Sequence, residues 1–151
     1  MAEPVTESAD VAAPARSGPV LFVHRLRVRY SECDPQGVVF NPQYLAFADH
    51  TLTELWRELY GGYMAMLERG VDVVVAEARL RFRASARFDE ELDVAVDVAQ
   101  LGTTSMTFHY LITRAADGAP LAEVELRYVW VDRDTGAKTP IPDWARSKLA
   151  R

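Results

Sequence analysis

Apolar residues recur at three- and four-residue steps through only one long segment of this chain. Tyr44, Ala48, Leu52, Leu55 and Leu59 mark the stripe, and Phe47 and Trp56 widen it. A stripe of that width calls for a sheet to cover it. The sequence supplies one, because the segments around it alternate apolar and polar residues at a period of two. Strands are predicted over Leu21 to Tyr30, Val73 to Ala84, Glu91 to Leu101, Thr104 to Arg114 and Leu121 to Val131. Gly102-Thr103 and Asp117-Gly118 supply the turns between the last three. The helix is predicted from about Pro42 to Leu59, ending at Gly61-Gly62, where residues without Cβ permit a left-handed exit. Shorter helical turns are predicted at Tyr63 to Glu68 and Asp143 to Lys148. This order gives an α+β class, with a curved antiparallel sheet packed against one prominent helix.

At 151 residues the chain suits one domain, and the proportion of hydrophobic residues, 49%, is enough to fill its core. Residues 1–18, rich in Ala, Pro, Ser, Glu and Asp, read as a flexible N-terminal tail, and residues 19–151 as the single folded domain. A net charge of -5 argues against broad association with nucleic acid or an anionic membrane. No apolar run reaches the length of a membrane span, and the N-terminus lacks a basic region followed by an apolar one. The lone Cys33 excludes an intrachain disulfide and a cysteine-based metal cluster, so the expected compartment is the cytoplasm. Leu111, Val129 and Val131 fall on the parity opposite to the helix-facing residues, which suggests a second face shared with another subunit.

Tyr30 to Tyr44 joins the first strand to the helix and places an acidic side chain, Asp34, and a glycine, Gly37, in the turn between them. Asn41 can accept from the free amides of the first helical turn, and Pro42 gives up an amide that had no partner. A carboxylate in a turn beside a helix start can activate or supply a nucleophile while the helix amides receive developing negative charge. An active site is the leading use of the stretch, and local capping is the competing one. Cys33, with no base defined nearby, reads as a packed thiol. His24, His50 and His109 form no metal-ligand spacing.

Arg29 to Leu45, with the later strand pattern, resembles the hotdog-fold acyl-CoA thioesterases, in particular the 4-hydroxybenzoyl-CoA thioesterase-like group, over roughly Val23 to Leu149. The resemblance implies a curved antiparallel sheet wrapped around a long central helix, assembled as a homodimer or homotetramer. It also implies hydrolysis of an acyl-CoA thioester to a carboxylic acid and free CoA, with CoA as part of the substrate and neither a further cofactor nor a metal. Asp34 then attacks the thioester or activates water, Gly37 permits the turn, and the backbone of Val39, Phe40 and Asn41 supports the oxyanion. Tyr44, Phe47, His50 and Glu54 are candidates for the substrate pocket, Glu54 as a carboxylate offered across a dimer. Arg79, Arg81 and Arg83 are candidates for the CoA phosphates, with a solvated strand face as the competing account. Asn41 stands where many relatives carry histidine, which speaks against a mechanism that needs an imidazole there. The acyl group is open, aromatic or short to medium chain. A hotdog hydratase or dehydratase is the nearest alternative, but such enzymes present Asp-x-Asn-Pro-x-His where this chain has Val39-Phe40-Asn41-Pro42-Gln43-Tyr44. A noncatalytic acyl-CoA-binding protein is the other.

Overall fold

The computed structural model describes residues 18–150. Strand β1 is Phe22–Arg27, and a 3-10 turn at Tyr30–Glu32 follows it. Helix α1, Gln43–Tyr60, comes next, then α2 at Tyr63–Glu68. Strands β2 (Val71–Phe82), β3 (Glu91–Leu101), β4 (Ser105–Arg114) and β5 (Pro120–Asp132) lead to a final helix, α3, Asp143–Leu149.

Most predicted elements lie within two residues of their observed ends, and the exceptions have local causes. The first strand stops at Arg27 rather than Tyr30. There the Glu32 carboxylate accepts from the Arg29 amide at 2.7 Å and pulls the chain into a tight turn. Tyr30 is consequently 81% exposed instead of facing the core. The expected side-chain cap from Asn41 is also corrected. Pro42 occupies the cap position, and Asn41 contributes its main-chain carbonyl, which accepts from the Tyr44 amide at 3.3 Å. At the other end Gly61 adopts φ 82° as expected, and the Gly61 and Gly62 amides return to the carbonyls of Arg57 and Trp56. The expected tail, apart from Gly18, falls outside the described residues.

The five strands form one antiparallel sheet in the order β1-β3-β4-β5-β2. Val94, Val96, Phe108, Tyr110, Val124, Leu126 and Trp130 project from one face into the core, where α1 buries Tyr44, Phe47, Ala48, Leu52, Leu55, Trp56 and Leu59. Trp56 meets the rings of Phe108 and Trp130. The expectation of a curved sheet wrapped around the helix is overturned. The sheet is open and is neither closed nor strongly curled: β1 and β2 form its two edges and pair with β3 and β5 alone, and α1 packs on one face. The physical reason is that one helical stripe needs only one sheet face to leave water.

Leu111, Val129 and Val131, read as a sticky second face, are each only 8% exposed within the chain. The exposed apolar side chains of the sheet lie instead on its two edge strands, at Val23 of β1 (51% exposed) and at Val74, Val75 (47% and 55% exposed) and Phe82 of β2. Around the far end of the core, α3 holds α1 in place. The Tyr60 hydroxyl donates to the Ala145 carbonyl at 3.0 Å, and Lys148 Nζ donates to the Leu59 carbonyl at 2.9 Å. No helix among the described residues is long and apolar enough to cross a membrane.

Where β1 runs beside α1, the His24 and His50 rings lie 4.6 Å apart, and Glu54 Oε1 is 3.8 Å from His50 Nε2. Burial, and then the nearby His50, hold the His24 pKa below its ordinary 6.5, while Glu54 pulls weakly the other way. Between 6.5 and that lower value the unfolded chain carries a proton on His24 that the folded chain lacks, so stability falls as pH drops through this window. Urea unfolding of the His24→Gln protein across pH 5 to 7.5 is expected to show a shallower loss of stability toward acid than the wild type.

Candidate active site

Asp34, Pro35, Gln36 and Gly37 close a tight hairpin. The Gly37 amide donates to the Asp34 carbonyl at 2.9 Å, the Asp34 amide donates to the Val38 carbonyl at 2.9 Å, and Cys33 pairs with Val39 across the base. Gly37 sits at φ 79°, a conformation that strains any residue with a Cβ by roughly 1–2 kcal/mol. Nothing lies within 4 Å of where a Cβ would be, so conformation rather than space requires glycine here.

Asp34 itself is half-buried. Its Oδ1 accepts from the Gln36 amide at 2.8 Å, which fixes the carboxylate in the turn. Its Oδ2 has no hydrogen-bond partner among the described residues.

Ala86, in the segment that follows β2, is bonded through its carbonyl to the hairpin and through its amide to a side chain of α1. The Val39 amide donates to the Ala86 carbonyl at 2.9 Å, and the Ala86 amide donates to the Tyr44 hydroxyl at 3.0 Å. Ala86 thereby joins the hairpin to the first turn of α1. Tyr44 is a buried pin, its hydroxyl pKa raised chiefly by burial, and Phe47 packs edge-on against it. Both belong to the core rather than to an open pocket. The wall that does face outward is Phe82, 49% exposed and edge-on to Tyr44 at 5.6 Å between centroids. Phe40, Phe88 and Tyr30 are exposed on the neighbouring segments, with Tyr30 edge-on to Phe88.

The amides proposed from sequence as an oxyanion support are not equally available. Val39 donates to Ala86, and Phe40 donates to the Glu32 carbonyl at 2.9 Å. Among the described residues the Asn41 amide alone of the three has no acceptor, and the exposed Asn41 side chain lies beside it. His50 and Glu54 are not joined to the hairpin. His50 meets His24, and Glu54 accepts from Arg57 at 2.5 Å, a bond that holds its carboxyl below the usual range. Cys33 packs against the core with its Sγ 3.8 Å from the Arg29 carbonyl. No group of His, Cys, Asp and Glu side chains among the described residues has the geometry to hold a metal ion.

Sequence reasoning missed three contributors. Glu32 is buried and organises the turn before the hairpin, Ala86 anchors it, and Phe82 borders it. Phe82 was readable as part of an apolar alternation, but Ala86 acts through its backbone and leaves no side-chain signal.

Residues 28–149 match the family model of the thioesterase-like superfamily. The acyl-CoA thioester hydrolase YbgC of Escherichia coli is 31% identical over 112 residues, covering 74% of this chain and 83% of that protein. Among solved structures, a hypothetical protein from Aquifex aeolicus superposes with a TM-score of 0.79 at 23% identity, over 85% of this chain and 98% of its own. A 1,4-dihydroxy-2-naphthoyl-CoA thioesterase from Synechocystis superposes with a TM-score of 0.77 at 21% identity, over 85% and 95%. With the family model spanning the hairpin, the helix and the whole sheet beyond β1, the chain belongs to the hotdog-fold thioesterase-like superfamily, as a relative of the YbgC acyl-CoA thioester hydrolases.

Proposed function

We propose that this protein hydrolyses an acyl-CoA thioester to a carboxylic acid and free CoA, with Asp34 as the group that acts at the thioester carbonyl. The observation that carries the reading is the Asp34 carboxylate, tethered through Oδ1 to the Gln36 amide in the hairpin that leads into α1, with Oδ2 unpartnered among the described residues. Kinship with an acyl-CoA thioester hydrolase supports the reaction class.

Two routes use the same geometry. As a base, Oδ2 takes a proton from water while the water oxygen bonds to the carbonyl carbon. The tetrahedral adduct then expels the CoA thiolate, which takes up that proton. As a nucleophile, Oδ2 bonds to the carbonyl carbon and expels the thiolate, and water opens the resulting mixed anhydride. Either adduct places negative charge on the former carbonyl oxygen, where the Asn41 amide and side chain are the donors at hand. Gly37 serves by holding the turn. The exposed Phe82 and Phe40 suit an apolar acyl group, either aromatic or of short to medium chain.

A panel of aliphatic, hydroxybenzoyl, phenylacetyl and dihydroxynaphthoyl CoA thioesters, read by thiol release, tests the activity. The Asp34→Asn protein is expected to lose at least about a hundred-fold in kcat on the best of them with its thermal unfolding unchanged. Equal turnover by a folded Asp34→Asn protein removes Asp34 from the mechanism.

The exposed Val74 and Val75 on the edge strand β2 support a homo-oligomer, a dimer or a tetramer. Light scattering at assay concentration is expected to give at least twice the chain mass. A persistent monomer rules out a site shared between chains.

A further inference from the structure

The chain leaves β2 at Phe82, and the next residue buries a charged side chain. Arg83 follows the parity of Arg79 and Arg81, on the side of the sheet turned away from α1, yet its side chain is only 8% exposed. Its guanidinium donates from Nε to Glu123 Oε2 at 2.8 Å, and Nη2 donates to the same oxygen. Register sets Arg81 opposite Glu123, but Arg81 stays exposed and the carboxylate turns to the buried cation. Glu123 Oε1 lies 3.2 Å from His109 Nε2, and His109 Nδ1 lies 3.5 Å from Asp97 Oδ1, with both His109 and Asp97 buried. Burial opposes the Glu123 charge, but the bonds to Arg83 and His109 outweigh it and hold the carboxyl below its usual range. Arg83 is thus committed within the chain, which corrects the expectation that it faces a phosphate.

Such a pair is a poor choice for stability alone. Desolvating two charges offsets most of their attraction, and apolar side chains of similar volume commonly serve as well or better. The cost is higher still here, because Arg83 Nη1 is buried with no acceptor among the described residues. What two converging bonds to one carboxylate supply, and an apolar contact does not, is a fixed direction for the backbone that carries them. The Arg83 and Ala84 amides both donate to the Leu121 carbonyl, at 2.8 and 3.1 Å, so the chain is pinned to β5 here. Ala84 and Ser85, which follow, are exposed. Then comes Ala86, fully buried, which holds Val39 through its carbonyl and Tyr44 through its amide. From Phe82 to Ala86, the Arg83 side chain is therefore the one buried attachment that precedes both bonds.

We infer that Arg83 is a positioning residue for the thioester reaction: paired with Glu123 it fixes where Ala86 sits, and through Ala86 it fixes the Asp34 hairpin against the start of α1 and the Asn41 amide. The inference rests on the thioesterase reading. Arg83 acts through geometry and not by contact with the substrate. A shift of about 1 Å at reacting groups costs up to roughly a hundred-fold in rate, so a small movement of Ala86 is enough to register in turnover.

Removing both charges at once separates positioning from stability. The Arg83→Met/Glu123→Gln double variant loses the pair without stranding either partner, and its thermal unfolding is expected to stay near that of the wild type. Its kcat on the CoA thioester hydrolysed best is expected to fall about ten-fold, with KM changed by less than about two-fold. Arg83→Lys, which keeps the charge and loses the fork, is expected to lie between the two. Arg25→Ala, which cuts an exposed ion pair with Asp93, is expected to change neither constant. Hydrogen exchange at the Val39 amide reads the same link without turnover, because the Ala86 carbonyl holds that amide. In Arg83→Lys it is expected to exchange about ten-fold faster while amides of the β3–β4 ladder keep their wild-type rates. A folded double variant with wild-type kcat, or with its loss in KM alone, overturns the inference while the thioesterase reading stands. If the double variant does not fold, Val39 exchange in Arg83→Lys decides, and a wild-type rate overturns the inference. If the wild type turns over no thioester, that reading fails by itself. The same exchange measurement then decides the link from Arg83 to the hairpin: selective acceleration at Val39 supports it, and an unchanged rate overturns it.

Discussion

The apolar stripe of α1 leaves water only where a sheet covers it, and that single requirement sets most of this structure. Leu52, Leu55, Trp56 and Leu59 are each buried against side chains from one parity of β3, β4 and β5. Fully burying a large apolar side chain contributes about 1.5–3 kcal/mol, which outweighs differences in helix propensity of a few tenths per residue. The position of α1 along the sheet is then fixed at both ends by polar contacts. Tyr44 binds the Ala86 amide at one end, while Leu59 and Tyr60 are tied to α3 at the other. A helix so held gives the preceding hairpin a rigid foundation.

Ala86 carries that rigidity to the site. Its carbonyl holds the strand that leaves the hairpin, and its amide holds the first turn of the helix. Both groups are buried in contacts that water cannot easily replace, so breaking either leaves an unpaired polar atom in the core. The hairpin can therefore keep an aspartate with one oxygen unpartnered, a feature that would cost far more if the carboxylate were fully buried. Tethering through Oδ1 limits the motion of the group without consuming its reactive oxygen.

Much of this was legible because period is a property of neighbours in the chain. The stripe from Tyr44 to Leu59 located α1 to within a residue, Gly61 announced its end, and Asp34 and Gly37 announced the hairpin. Legibility failed where a residue's role depends on what lies across space. His50 and Glu54 share the helix with Tyr44, but they occupy a different side of it and meet β1 instead of the hairpin. Asn41 has a good capping side chain, yet Pro42 takes the cap position, so only the carbonyl is used. Leu111, Val129 and Val131 alternate correctly but are covered within their own chain, a matter of neighbouring strands that parity does not encode.

The arginines of the sheet carry the same lesson to its limit. Arg25, Arg81 and Arg83 all sit on alternating patterns with no local difference that assigns them separate fates. Register puts an aspartate opposite Arg25 and a glutamate opposite Arg81, so pairing alone predicts two similar ion pairs. Competition breaks the equivalence. Arg83 is buried, and a buried guanidinium left without its carboxylate costs more than an exposed one, so Glu123 goes to Arg83 and to His109, and Arg81 is left to solvent. The solvated cation on β2 is thus a consequence of a buried one nearby. That coupling leaves an exposed charge on a strand whose opposite face borders the hairpin.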